Sequence, residues 1–448
     1  MPSQDTSSHQ TARPTRRRFL RQAVVAAGGS IAMPYVIPSG VRAAPGQPGA
    51  NDRLGLGFIG IGRQGGELAG AARRSPTAKI VAVADVHRER AEAQGQLLEA
   101  EAYQDYRKLL ERKDVDAIVT ATPEQWRGTI CVHACQAGKD LYVEKPMSLT
   151  IHEGRLIADA VRKYQRVFQT GSQQRSQKEN RLGCELIRNG RLGKLQRIIA
   201  HNYPSPWECA LPEQPIPAEL DWDKWCGPAE LVAYNYDIFK SRANPGWLSF
   251  RLFSGGEMTG WGSHGFDQVQ WALGMDEGGP VEMWTEGPAF DPPTYTAAES
   301  GARGNKLCSQ PTVFMRYPGE VVMELGNGPS GGAVFVGENG KLTIDRGKCV
   351  SAPPELAKEP LTDKDTHLYQ SDNHLQNWLD CIKSREKCVA DVETGHRSAS
   401  VCHLANITRR LGRKLQWDPV REQFADDEEA NGLLKRPQRE KYKTPEPV

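Results

Sequence analysis

Gly60-Ile61-Gly62-Arg63-Gln64-Gly65 is a complete G-x-G-x-x-G directly after the apolar run Leu54–Ile59. In such a turn the first glycine permits a tight bend and the second lets the main chain approach a pyrophosphate. The third lets helix and strand pack closely. The helix that follows presents unpaired N–H groups and a favourable dipole to the same anion. A glycine pattern alone says little in a chain with 44 glycines, and an ordinary strand-to-helix turn is the bland alternative. The next apolar run strengthens it, because Ala78–Ala84 ends at Asp85. A carboxylate there accepts hydrogen bonds from ribose hydroxyls and repels a 2′-phosphate, favouring NAD over NADP; Arg88 nearby would suit the phosphate. Two further groups have chemical side chains at close spacing: Glu144-Lys145-Pro146, and the stretch from Gly255 to Asp267 that contains His264. His264 and Asp267, three residues apart, share a helical face, so the carboxylate could orient the ring or simply pack the helix.

These residues need a scaffold. Apolar runs alternate with helical patterns: Arg53–Ile59, a helix over Glu67–Arg73, Ala78–Ala84, a helix over Asp105–Arg112, Val115–Ala121, a helix over Glu124–Ala137 and Leu141–Glu144. Strands separated by helices of that length call for a parallel, doubly wound sheet, an α/β Rossmann domain over residues 53–170. Strand-like runs recur later, at Leu195–His201, Val281–Trp284, Val313–Arg316 and Val321–Leu325, with Pro- and Gly-rich loops at Asn202–Pro217 and Ala289–Asn305. Helical patterns return at Asp372–Cys381 and Thr394–Leu411.

The glycine turn and the Glu144-Lys145-Pro146 motif together make residues 53–420 resemble the Gfo/Idh/MocA family of oxidoreductases, typified by glucose–fructose oxidoreductase and inositol dehydrogenase. The resemblance implies an NAD(P)-dependent enzyme acting on a sugar or sugar-like polyol. It implies a second α/β domain, residues 171–420, with an open, mostly antiparallel sheet that covers the nicotinamide and mediates homo-oligomer contacts. Cofactor contacts are expected from Gly60, Ile61, Gly62, Arg63, Gln64, Gly65, Asp85, Thr122, Pro123, Glu144 and Lys145. Lys145 is the implied catalytic residue, at the substrate hydroxyl that loses its proton, with Pro146 fixing the backbone. Apolar surroundings and an oxidised cofactor would disfavour its ammonium and bring the amine into acid/base range. A solvated surface lysine is the alternative.

Residues 255–267 resemble the family's G-G-x-x-x-D-x-G-x-H-x-x-D stretch. His264, expected as general acid/base or substrate ligand, and Asp267 match it, whereas Gly260 stands where the first Asp belongs. A structural histidine at a helix start is the alternative for His264. Without the first carboxylate, the neighbouring base is less firmly oriented or the substrate's hydroxyl pattern differs. At Thr122-Pro123-Glu124-Gln125-Trp126-Arg127, many relatives carry a histidine in place of Arg127, which is either a substrate contact or a solvated helix charge. His201, Tyr203, Trp207, Tyr236, Lys240 and Arg251 are expected to line the pocket. His396 and Arg397 either approach the cofactor or begin a helix.

Thr15-Arg16-Arg17-Arg18-Phe19-Leu20-Arg21 resembles a twin-arginine export motif; a modestly apolar stretch to Pro38 and a small-residue cleavage site at Val41-Arg42-Ala43-Ala44 follow. Residues 1–44 are thus expected to be a signal peptide, removed near Ala43/Ala44 and read by the twin-arginine machinery, leaving a periplasmic protein. The apolar stretch falls short of the ~20 residues of a membrane span, so no stable anchoring is expected. Outside the cytoplasm there is no free nicotinamide pool, so the dinucleotide should stay bound. Residues 421–448 are charged and contain proline, suiting an arm across a partner subunit or a disordered tail. Net charge is +2 with 25% charged residues, which gives no strong field toward nucleic acid. The ten cysteines form no C-x-x-C pair, and no metal is expected. Seven of the ten tryptophans lie between Trp207 and Trp284, as core or as faces for a sugar ring.

Two other functions fit the family. One is an NAD-dependent glycoside hydrolase that oxidises its sugar transiently, though relatives of that kind lack the lysine of Glu144-Lys145-Pro146. The other is an inactive sugar- or cofactor-binding relative, in keeping with Gly260 and Arg127.

Overall fold

Strands β1 (Leu54–Ile59), β2 (Ala78–Ala84), β3 (Glu101–Tyr103), β4 (Ala117–Thr120), β5 (Asp140–Val143) and β6 (Phe168–Thr170) follow one another along the chain with a helix between each consecutive pair. The computed structural model describes residues 53–240, 246–292, 294–296 and 311–447. The export segment, residues 1–44, lies outside them, as does part of the Ala289–Asn305 loop. All six strands pair in parallel, in the order β3-β2-β1-β4-β5-β6. β4 and β5 are buried along their whole length, as strands sandwiched between two helix layers must be. The order reverses between β1 and β4, which opens a crevice beyond the carboxyl ends of these strands.

The second sheet is built on a different rule. β7 (Leu195–His201), β9 (Glu282–Glu286), β11 (Thr312–Arg316), β12 (Val322–Gly326), β13 (Ala333–Gly337), β14 (Gly340–Asp345), β15 (Lys348–Ala352), β16 (Leu415–Asp418) and β17 (Gln423–Phe424) pair in the order β15-β14-β13-β7-β12-β11-β9-β16-β17. Only β7 and β12 run parallel; the rest are antiparallel. β11, β12 and β13 alternate buried and half-buried residues, so one face is core. That face meets the helices Lys178–Arg188, Gly262–Leu273 and Val392–Leu411 through Leu186, Phe266, Val269, Val401 and Leu404. A two-stranded parallel pair, β8 (Glu208–Cys209) with β10 (Thr294–Tyr295), stands apart. The expected fold class, a Rossmann sheet plus a mostly antiparallel α/β domain, is the one observed.

Strand ends move by one or two residues from the apolar runs, as at Ala117–Thr120. The hairpin series β13–β15 was not expected, although Asn339-Gly340 between alternating apolar runs is a strong local hairpin signal. Residues 421–447, expected as an arm or a tail, fold back on this same chain. Tyr442 is 2% exposed, meets Trp126 edge-on at 5.4 Å and donates to Asp223 at 2.6 Å. Among the described residues no helix is long and apolar enough to cross a membrane.

Candidate active site

The glycine turn closes as its residue types require. Gly60 has φ +79°, a backbone that costs an L side chain dearly, and a Cβ there would also meet Thr122 Cγ2 at 2.7 Å. Gly65 packs against the main chain of Gly60, since a Cβ would lie 2.2 Å from that carbonyl oxygen. Gly62 differs: a Cβ would meet nothing within 4 Å. Its space is open, and it caps the helix Arg63–Arg73, which has no acidic residue in its first turn and no side-chain cap. Among the described residues no side chain caps the helix's leading N–H groups, which suits a dinucleotide pyrophosphate.

Asp85 ties the end of β2 to that turn. Its carboxylate accepts Ile61 N at 3.1 Å and His87 N at 3.0 Å, and pairs with Arg90 at 3.4 Å. Arg90, rather than Arg88, is the cation at this end of the crevice, and it lies over the Phe239 ring at 5.3 Å. The amide of Arg88 donates to the Glu219 carbonyl at 2.9 Å.

Beyond β4 and β5 the two loops are clamped from below by Arg127. Its guanidinium donates to the Thr122 carbonyl at 2.8 and 3.0 Å, to the Glu144 carbonyl at 3.0 Å and to the Pro146 carbonyl. Arg127 is buried, so of its two expected readings, substrate contact or solvated charge, the second is corrected: three convergent carbonyls hold it as a buttress, and it lines the crevice. Burial pushes its pKa down while Glu124 pushes it up. Burial pushes the Glu124 carboxyl up in turn. Glu124 accepts Ser254 Oγ at 2.6 Å, Gly255 N at 3.0 Å and Thr259 Oγ1 at 3.2 Å, fixing the second domain's loop to the end of β4.

Glu144 accepts Gln173 Nε2 at 2.9 Å, Gln64 Nε2 at 3.3 Å and the Lys145 amide at 3.1 Å. The Lys145–Pro146 peptide is cis. Lys145 Nζ donates to the Gly260 carbonyl at 3.1 Å, so a sheet terminus and the 255–267 segment meet at this amine.

One cleft of about 560 Å³ runs through these groups. Gly60, Ile61, Gly62, Arg63, Gln64, Asp85, Thr122, Pro123, Glu144 and Lys145 all line it, while Gly65 lies beneath, packed in the turn. His264 and Asp267 do not line it. Helix Gly262–Leu273 is buried from Gly262 to Ala272, and the His264 ring tilts against Trp261 at 5.6 Å. Asp267 is 1% exposed and spoken for: Arg175 Nε donates at 2.9 and 3.0 Å and Ser398 Oγ at 2.7 Å. Asp267, expected either to orient His264 or to pack the helix, is thus held in a buried ion pair with Arg175. Burial pushes the Arg175 guanidinium down, but Asp267 and Asp276 together hold it firmly protonated.

His201, Tyr203, Trp207, Tyr236, Lys240 and Arg251 are not cleft residues either. Tyr203 and Trp207 are core, Lys240 pairs with Asp237 at 2.6 Å, and Tyr236 is exposed. Phe239, Trp225, Trp247 and Leu248 take the cleft positions instead. Trp222 and Trp225 stack at 4.6 Å within an apolar cluster of their own, so most of this aromatic-rich segment is core with a few edges toward the cleft. His396 bonds Glu422 at 2.7 Å and Arg397 bonds Glu393 at 2.7 Å, pinning a helix start away from the cleft.

Comparison with known proteins bears on both domains. Residues 54–172 match the model described as oxidoreductase family, NAD-binding Rossmann fold. Residues 194–444 match that described as oxidoreductase family, C-terminal alpha/beta domain. A glycosyl hydrolase family 109 protein of Shewanella pealeana is 24% identical over 201 residues, 40% of this chain and 44% of that protein. The scyllo-inositol 2-dehydrogenase (NAD(+)) of Bacillus subtilis is 26% identical over 258 residues, 57% of this chain and 67% of that protein. The chain spans about half the length of the first curated relatives it matches. The WlbA dehydrogenase from Bordetella pertussis, crystallised in complex with NADH and UDP-GlcNAcA, shares the fold with a TM-score of 0.57 at 17% identity, over 82% of this chain and 99% of that chain.

Proposed function

Because this chain belongs to the Gfo/Idh/MocA oxidoreductase family, with an NAD-binding Rossmann domain at residues 54–172, we propose that it is an exported dehydrogenase of a sugar or sugar-like polyol. The observation that carries this is Lys145: its amine sits on the Gly260 carbonyl in the same cleft that holds the open glycine turn. Bound NAD supplies a nicotinamide carbon that takes up a hydride. The chain's residues do the rest. Lys145 would take the proton from the substrate hydroxyl as the C–H bond yields its hydride and the carbonyl forms, so a hydride, carrying two electrons and one proton, and a second proton leave the alcohol. The Gly260 carbonyl aims the amine. Arg127 and Glu144 hold the loops after β4 and β5 at fixed spacing, which keeps donor and acceptor aligned. Trp225, Phe239, Trp247 and Leu248 exclude water from the cleft wall. Asp85 at the ribose end, already neutralising Arg90, favours NAD over NADP.

The likeness to an inositol dehydrogenase supports a polyol substrate. The paired arginines and cleavage site within residues 15–44 support export and retention of the cofactor. The likeness to a family 109 glycosyl hydrolase favours a second reading, transient oxidation followed by release of an aglycone. One experiment separates them. Native mass spectrometry of protein recovered from the periplasm identifies any retained nucleotide, and a screen of sugars and inositols follows NADH absorbance and products. The dehydrogenase predicts a retained NAD(H) mass and a ketone product. A freed aglycone with unchanged cofactor, or a protein that binds no nucleotide at all, would overturn it.

A further inference from the structure

A second cavity, of about 630 Å³, shares none of its lining residues with the cleft. The two adjoin at one turn: Glu124 and Trp126 line the cleft, and Gln125 between them lines the second cavity. Gln125 is 1% exposed; its amide donates to the Trp225 carbonyl at 3.1 Å, and its Oε1 has no hydrogen-bond partner among the described residues. Leu149, Leu211, Pro228, Ile238 and Phe253 give this cavity apolar walls. Its charges, by contrast, are out of balance. Arg251 and Arg436 both line it, and Arg436 Nη1 donates to the main-chain carbonyl of Arg251. Among the described residues no carboxylate comes within ion-pair distance of the half-buried Arg436. Arg251 has Glu208 at a loose 3.6 Å, and Glu208 is shared with Arg410 at the same distance. Loss of water, reinforced by the charge of Arg251, pushes Arg436 down to about 10. Glu153 lines the cavity too, but burial pushes its carboxyl up to about 7, so near neutrality it carries only part of a charge. Glu230 is exposed, where solvent screens it. A guanidinium with no counter-charge in a water-poor site costs stability, and an anion brought to it recovers that cost.

We propose that this second cavity is a binding site for a small organic monocarboxylate, with its charge against Arg436 and Arg251 and its apolar body against the Phe253 wall. The planar fork of an arginine matches a carboxylate in a two-pronged, charge-assisted contact. With Glu208 already serving Arg251, one negative charge balances the two arginines, and a doubly charged phosphate oversupplies them. The site does not depend on which reaction the cleft performs.

The test titrates benzoate, octanoate, neutral benzamide and inorganic phosphate into the whole protein by calorimetry, with saturating NAD throughout. Wild type is compared with Arg436→Met, Arg251→Gln and Lys145→Ala. Wild type should bind benzoate or octanoate at about millimolar affinity or better, and benzamide and phosphate at least about tenfold more weakly. Arg436→Met and Arg251→Gln should each lose at least about tenfold in carboxylate affinity, while Lys145→Ala, in the cleft, should bind like wild type. Without ligand, Arg436→Met should melt at or above the wild-type temperature, since an apolar side chain of similar length replaces an unpaired charge. Added carboxylate should raise the melting temperature of wild type and leave that of Arg436→Met unchanged. No carboxylate binding to wild type, equal binding of benzoate and benzamide, or binding that survives both arginine variants would overturn the site. Phosphate binding more tightly than either carboxylate would overturn the ligand class. Loss of binding in Lys145→Ala would put the anion in the cleft, and a lower melting temperature for Arg436→Met would make its guanidinium a structural group; either result sinks the proposal.

Discussion

Lys145 and Asp267 both stand in motifs with chemical promise, yet the fold treats them in opposite ways. Lys145 lies on the wall of a cleft, at the end of a parallel strand, with its amine on a main-chain carbonyl. Asp267 lies in the middle of a buried helix, closed in by Arg175 and Ser398, with Asp276 completing the charge cluster. His374, also buried, bonds Ser176 at 2.9 Å, one residue from Arg175. A charge whose lone pairs are all taken and which no solvent reaches is part of the architecture. A polar group at a cavity wall, held but accessible, is available for chemistry. Burial and bonding, more than residue type, separate the two.

The sharpest way to break the comparison is to empty the sealed cluster. Arg175→Ala leaves Asp267 buried without its partner and should lower the unfolding free energy by about 3–5 kcal/mol in urea melts. Asp267→Asn, which keeps the shape, should cost less. Melting curves that match wild type for both would show that the cluster holds nothing together. At the cleft the pattern should reverse: Lys145→Ala should lose about 10²–10⁴ in turnover. Its stability should stay within about 0.5 kcal/mol of wild type, with NAD still bound. Full activity in this variant would remove Lys145 from the mechanism.

The glycine turn sharpens the contrast within a few residues. Gly62→Ala meets no protein atom, so the protein without nucleotide should melt unchanged, yet NAD affinity should fall at least about tenfold, or about 1.4 kcal/mol. Gly65→Ala meets the Gly60 carbonyl and should damage the turn whether or not NAD is present. Equal NAD affinity in Gly62→Ala and wild type would mean that the pyrophosphate lies elsewhere.

The smallest effect is in the pH dependence of the sealed region. Burial, reinforced by the charge of Arg175, pushes His374 down to about 4. An unfolded histidine titrates near 6.5, so between those values the unfolded chain binds a proton that the folded one refuses. The stabilisation from keeping His374 neutral is fully present above about pH 6.5 and is lost as pH falls toward about 4. Stability measured in that window should fall by about 1.4 kcal/mol per pH unit less steeply in His374→Gln than in wild type. Parallel slopes would show that His374 is protonated inside the fold.

Much of the cleft was legible because its signals are local. Gly60, Gly62 and Gly65 sit within one turn, Asp85 ends the next strand, and Lys145 follows a strand by two residues, so short-range steric rules place them. His264 and Asp267 carried an equally recognisable motif, but helix Gly262–Leu273 is covered on every side, and no spacing announces that. Arg175 gave no signal, because its partner is 92 positions away. Among the aromatics, the short spacing of Trp222 and Trp225 reveals a cluster without saying which ring edge reaches the cleft.

The chain's own order of residues determined the alternation of strands and helices, the parallel sheet and the bend at Gly60, since periodicity, glycine and capping act over a few neighbours. The tertiary structure alone decided that Arg127 is a buttress, that Asp267 is neutralised by Arg175, and that the Lys145 amine meets the Gly260 carbonyl. Those outcomes depend on groups from distant segments sharing one low-dielectric space, where a charge must find a partner or remain at a wall.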